Sequence, residues 1–248
     1  MTTTPAINRT SALPPAYGLL QAWLIVMGAV GFAAYLGREF GIIGELLSQD
    51  ATRLCLLIML AFIGASLHCG ARSLRLSREI RRFDEIEAAH SEHAGLRLDD
   101  DGELASGDRR LPDSLCADYL AGLLARRLRD GLSSPEYSQL TDVLNERIRG
   151  SHEFGWFVTG MLIKLGLLGT VIGFIIMLGA VDSAGSFDVA AVQQLLGSMS
   201  EGMSVALYTT LTGLSASMVL GFQYLMLDRA ADSLLARVVH FAERRLAV

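Results

Sequence analysis

The charged residues of this chain leave four long gaps. No Asp, Glu, Lys or Arg occurs from Thr10 to Gly37, Leu54 to Ala71, Leu165 to Val181 or Gly202 to Leu227. A helix of ~18–20 mostly apolar residues is long enough to cross the hydrocarbon core of a bilayer. The four gaps therefore predict four transmembrane helices. Only 19% of the 248 residues are charged and 51% are hydrophobic, where a soluble domain averages about 25% charged. An ordinary cytosolic enzyme, a secreted disulfide scaffold and a disordered chain are all excluded.

The arginines orient the spans. The 21 basic residues include a single lysine, Lys164, and the arginines cluster between Arg72 and Arg149, with Arg229, Arg237, Arg244 and Arg245 after the last gap. The connection from Asp182 to Glu201 holds no Lys or Arg. Basic residues near membrane ends mark the cytoplasmic side, so the middle segment and both termini are expected in the cytoplasm. The segment 72–153 also carries many acids, which argues against a nucleic-acid surface. Cys55, Cys69 and Cys116 are odd in number and widely spaced, which fits neither a disulfide framework nor a zinc site. His90 and His93 have no evident companion ligands, so no metal is expected. The first gap is longer than the core of a cleavable signal and is read as a retained helix.

The expected fold is an all-α integral membrane protein of four transmembrane helices. A helical cytoplasmic domain separates spans two and three. The layout is an N-terminal lead (1–15), spans one and two with a short outer loop (16–71), the cytoplasmic domain (72–153), spans three and four (154–228) and a cytoplasmic helical tail (229–248). The helix of span two should run on through Arg72, Arg75, Arg78, Arg81 and Arg82, since nothing breaks it before Gly95. Residues 95–107, with Asp99, Asp100, Asp101 and Gly102, read as a loop, and no strand pattern competes. Leu115, Tyr119, Leu123 and Leu124 mark one amphipathic helix. Ser134 and Pro135 open another, with Tyr137, Leu140, Leu144 and Ile148 on its apolar face.

The spans offer little ionisable chemistry. His68 reads as an interfacial histidine. Lys164 has two open readings, a snorkelling side chain or a functional pairing. No Asp or Glu lies in any of the four gaps. Small and hydroxylated residues stand out instead. In span three, Gly166, Gly169, Thr170 and Gly173 cluster on one side. In span four, Ala206, Thr210, Gly213 and Ser217 form a helical stripe, with Thr209, Thr212 and Ala216 beside it. Small residues let helices approach closely, and hydroxyls bond across them or to water. Tight packing and a shared polar seam both account for the pattern.

The segments GLLGTVIG (166–173) and ALYTTLTGL (206–214), the latter preceded by SEGM (200–203), resemble the two signature helices of the MotA/TolQ/ExbB proton-channel family. The resemblance covers about residues 154–228; upstream it is one of layout. It implies no enzyme and no cofactor, but a stator-type proton-channel subunit of a motor in the bacterial inner membrane, as in flagellar rotation or energised protein transport. It also implies a homo-oligomer, a pentamer, around two copies of an ExbD/TolR/MotB-like single-span partner. The partner supplies a membrane Asp that takes and releases the proton. Carried over by motif, Thr170 and Thr210 line the ion path, with Thr209 beside them. The ion is a proton, with sodium as the alternative. Val205 stands where the ExbB and TolQ branch has Glu, Val219 stands where that branch has Pro, and four spans are more like the flagellar-stator branch. The charged run holding Arg78, Arg81, Arg82 and Glu85 reads as a solvated helical face or as a docking surface for a driven partner. The reading from a different class is a non-conducting membrane scaffold whose Gly/Ser/Thr seams only pack an oligomer.

Overall fold

The structure, a computed structural model, describes residues 18–41, 44, 53–92, 96–99, 103–106, 109–130, 134–150, 152–182 and 189–246. Six helices account for most of them: α1 (Gly18–Glu39), α2 (Leu54–Glu92), α3 (Leu115–Asp130), α4 (Ser134–Arg149), α5 (His152–Asp182) and α6 (Val189–Leu246). Four of these, α1, α2, α5 and α6, are long and apolar enough to cross a membrane. The N-terminal lead and the connection 183–188 lie outside the described residues.

Two helices are far longer than a bilayer needs. At ~1.5 Å per residue, the 39 residues of α2 span roughly 58 Å and the 58 residues of α6 roughly 87 Å, against ~30 Å of hydrocarbon. Their uncharged parts, 54–71 and 202–227, account for the membrane length. Their extensions carry the extramembrane domain. The helix of span four starts at Val189, so the second half of the basic-free connection is helical rather than loop. The charge pattern concealed this, because a helix leaving the bilayer into water carries the same polar residues as a loop.

The extensions of α2 and α6 pack on each other through Phe83 and Phe241, whose rings meet edge to face at 5.8 Å. Arg237 lies over the Phe83 ring, 5.3 Å from its centroid, and bonds Asp84 at 2.8 Å and Glu87 at 2.5 Å. Leu120 and Leu123 of α3 and Leu144 and Ile148 of α4 join the same buried cluster. This is the apolar face expected of α4, apart from Tyr137, whose side chain lies outside the described residues. Ser114 caps α3 through its hydroxyl, which accepts the Ala117 N–H at 3.0 Å.

One expectation fails. Residues 96–110 hold a small antiparallel sheet, β1 (Leu96–Leu98), β2 (Leu104–Ser106) and β3 (Arg109–Arg110), in the order β1-β2-β3. Leu98 pairs with Leu104 and Leu96 with Ser106. Arg110 reaches back to Asp99 at 2.9 Å. The alternation of Leu96, Arg97 and Leu98 ahead of an Asp-Gly turn is a hairpin signal. Its strands are two or three residues long, too short to compete with helical periodicity. The fold is helical with this one appendage.

Candidate functional site

Helices α5 and α6 run antiparallel and touch backbone to backbone. Gly155 faces the ring of Tyr224, Gly166 faces Gly213, and Gly173 faces Gly202, so numbers rise on one helix as they fall on the other. A Cβ on Gly213 would stand 2.7 Å from the Leu162 carbonyl oxygen, and one on Gly202 would stand 2.6 Å from that of Gly173. Neither distance leaves room for a side chain. Gly169 faces the Thr209 side chain, which fills the space a Cβ would take. Ala206 faces Gly173 from one turn further along α6.

Of the hydroxyl residues named from the sequence, Thr209 and Ser217 are buried and Thr170 and Thr210 are half-buried. Thr209 is fully buried at the centre of the seam and donates to the Val205 carbonyl at 2.8 Å. Ser217 is buried two turns on. Thr210 is half-buried and donates to the Ala206 carbonyl at 3.0 Å, with the Gly166 carbonyl of α5 also in reach at 3.2 Å. Thr170 is half-buried and donates to the Leu167 carbonyl at 2.6 Å. The centre of the stripe is therefore Thr209 and Gly213, with Thr210 on its edge.

Thr170 follows Gly169, and Thr210 follows Thr209, the facing pair. One residue turns a helix by ~100°, and in an antiparallel pair that step turns both side chains to the same flank. The opposite flank is covered by α2, where Thr212 approaches Cys55 at 4.0 Å. The flank bearing Thr170 and Thr210 is the one away from that contact. Each hydroxyl spends its proton on a backbone carbonyl of its own helix, so its oxygen is left as an acceptor. Such a pair can accept a hydrogen bond from a protonated acid or a hydrated proton, and neither helix carries an acid in its uncharged stretch.

Lys164 projects from α5 roughly opposite the seam, exposed, with no acid within ion-pair distance among the described residues. Arg78, Arg81, Arg82 and Glu85 follow at helical spacing on one exposed face of α2. Arg78 and Arg82 line a cavity against α3 and α4, and Arg82 donates to the Asp113 carbonyl at 2.7 Å. Arg81 and Glu85 stand one turn apart on the exposed side.

A second polar cluster, unanticipated from the sequence, closes the other end of the α5–α6 pair. His152 Nδ1 lies 2.7 Å from one Asp228 oxygen, and Trp156 Nε1 donates to the other at 2.8 Å. The Tyr224 hydroxyl donates to the Ala65 carbonyl at 3.2 Å and lies 2.9 Å from His68 Nδ1. Ser66 donates to Gln223 at 2.8 Å. His68 is thus a tertiary contact and not only an interfacial residue. The available signal was the run of Gln223, Tyr224 and Asp228 at the end of an otherwise apolar stretch.

The four apolar helices and the glycine–threonine seam define a multi-pass helical membrane protein built around one tightly packed helix pair. Residues 137–239, which contain that pair's whole seam, match the model of the MotA/TolQ/ExbB proton channel family. This part of the chain is a domain of that family. Neither the curated proteins nor the solved structures contain a match to the chain.

Proposed function

We propose that this chain is the proton-channel subunit of a stator-type motor in the bacterial inner membrane, with the extramembrane domain and both termini in the cytoplasm. The observation that carries the reading is the open flank of the α5–α6 pair. It presents Thr170 and Thr210 as acceptors within an uncharged stretch that has no carboxylate of its own. Half of a proton site is present, and the acid comes from a second chain. The family match supports an oligomer with a single-span partner; in this reading it is a homopentamer around a partner dimer bearing a membrane Asp. Protonation and release of that Asp step the ring. The membrane potential supplies ~2.3 kcal/mol per charge per 100 mV. Sodium is the alternative ion, since two hydroxyl oxygens are also hard-cation ligands.

The test is reconstitution of the chain with the single-span protein that co-purifies with it, followed by dye-reported acidification of the vesicle lumen under a potential. Flux that needs Thr170 and Thr210 supports the reading. Unaltered flux in both valine variants removes these residues from the path, and flux that follows sodium and ignores pH replaces the ion. The scaffold reading is favoured by the seam glycines, which packing alone accounts for. A ring that co-purifies with no partner and passes no ion would establish it.

A further inference from the structure

Where α2 leaves its uncharged stretch, Arg72 is its first charged residue, and Arg75, Arg78 and Arg82 follow on the next turns. These four, with Arg147 from the last turn of α4, line a cavity of about 270 Å³ beside His152, the first residue of α5. Five guanidinium groups face a single lining acid, Glu79. That carboxylate is already engaged. It accepts the Leu115 N–H at 3.1 Å and pairs with Arg82 at 3.4 Å. The Asp118 partner of Arg147 is 3.8 Å away, with both side chains more than half exposed, a pairing worth little. Arg75 and Arg78 have no acid within ion-pair distance among the described residues.

Arg72 adds a second observation. One of its terminal nitrogens donates to the Ile148 carbonyl at 2.9 Å. Its Nε is buried and has no acceptor. A buried donor without an acceptor is costly, and like charges gathered in one cavity repel. Both penalties are relieved by an anion with several oxygens, which guanidinium forks bind in a bidentate manner.

The depth of the cavity selects the anion. Arg72 follows Ala71 directly at the end of an uncharged stretch, and exposed Phe154, Trp156 and Phe157 stand on the first turns of α5. Aromatic residues at that level mark the headgroup zone. Basic pockets between helices at this height suit phospholipid headgroups. We propose that this cavity binds the phosphate of an anionic phospholipid, in the leaflet at which α2 leaves the bilayer. The acyl chains then lie along the exposed apolar side of α5. This inference goes beyond ion conduction and does not depend on it.

The test uses the full chain purified in neutral detergent, with phosphatidylglycerol and phosphatidylcholine as probes and native mass spectrometry to count retained lipids. The expected result is preferential retention of phosphatidylglycerol, lowered about fivefold for each arginine removed. Arg75→Gln with Arg78→Gln removes two from α2. Arg147→Gln removes one from the opposite wall and decides the matter if the double variant fails to assemble. Equal retention of both lipids, or a preference that survives both variants, overturns the proposal. Competition by inorganic phosphate at the same concentration as phosphatidylglycerol also overturns it and makes a soluble phosphate compound the ligand.

Discussion

The two ends of the α5–α6 pair are held together by opposite means. At the Gly166–Gly173 end the helices meet through backbone, and Thr170, Thr209 and Thr210 each donate to a carbonyl. At the His152 end they meet through side chains, with Asp228 shared between His152 and Trp156 and Tyr224 reaching α2. The first end is intolerant of volume and indifferent to charge. The second depends on polar partners, and its one close glycine, Gly155, packs against a side-chain ring rather than backbone. A path for a proton suits the first end, where acceptors on one flank have no competing fixed charge beside them. An anchor to the rest of the chain suits the second.

Steric substitution should break the backbone-packed end most sharply. Gly169→Leu and Gly213→Leu force the helices apart and should cost ~3 kcal/mol or more, read as loss of the assembled species on size-exclusion chromatography. A leucine at Gly179, where a Cβ would meet nothing, is the control; equal damage there would mean that the seam is not close-packed. Thr170→Val and Thr210→Val keep the volume and remove the acceptor. They should lower ion flux about tenfold or more while assembly survives, and valine variants that fail to assemble would instead make these hydroxyls structural.

Asp228→Asn probes the opposite end. It removes the charge from the His152 and Trp156 bonds and should cost about 1.5–3 kcal/mol in thermal inactivation, with flux per assembled complex unchanged. A smaller effect is expected from Arg237→Ala, where the guanidinium is 30% exposed and its acids are 47% and 50% exposed. Exposed ion pairs are worth at most ~1 kcal/mol, and a salt titration should reproduce much of that loss.

The smallest effect belongs to Cys116. It is fully buried in the extramembrane core, and burial, with Glu79 nearby, pushes its thiol from 9.0 up to about 12. Iodoacetamide should leave it unmodified in the native chain. Because the folded value lies above the unfolded one, its contribution to stability is complete below pH 9 and falls as the pH rises toward 12. Rapid native labelling at neutral pH would show that this core opens.

The sequence by itself determined the membrane helices, since a stretch without charge that is long enough to span lipid has few other fates. It also determined that none of the four uncharged stretches carries a carboxylate of its own. Spacing alone was enough to gather Gly166, Gly169 and Gly173 on one face. What only the tertiary structure decided is the angle at which faces meet. One residue is a turn of ~100°, so the difference between buried Thr209 and open Thr210 depends on the partner helix and its direction. The cavity that Arg78 and Arg82 line with residues of α3 and α4, and the bond from His68 to Tyr224 across 156 residues of chain, were hidden for the same reason. Periodicity describes one helix at a time, and the site lies between two.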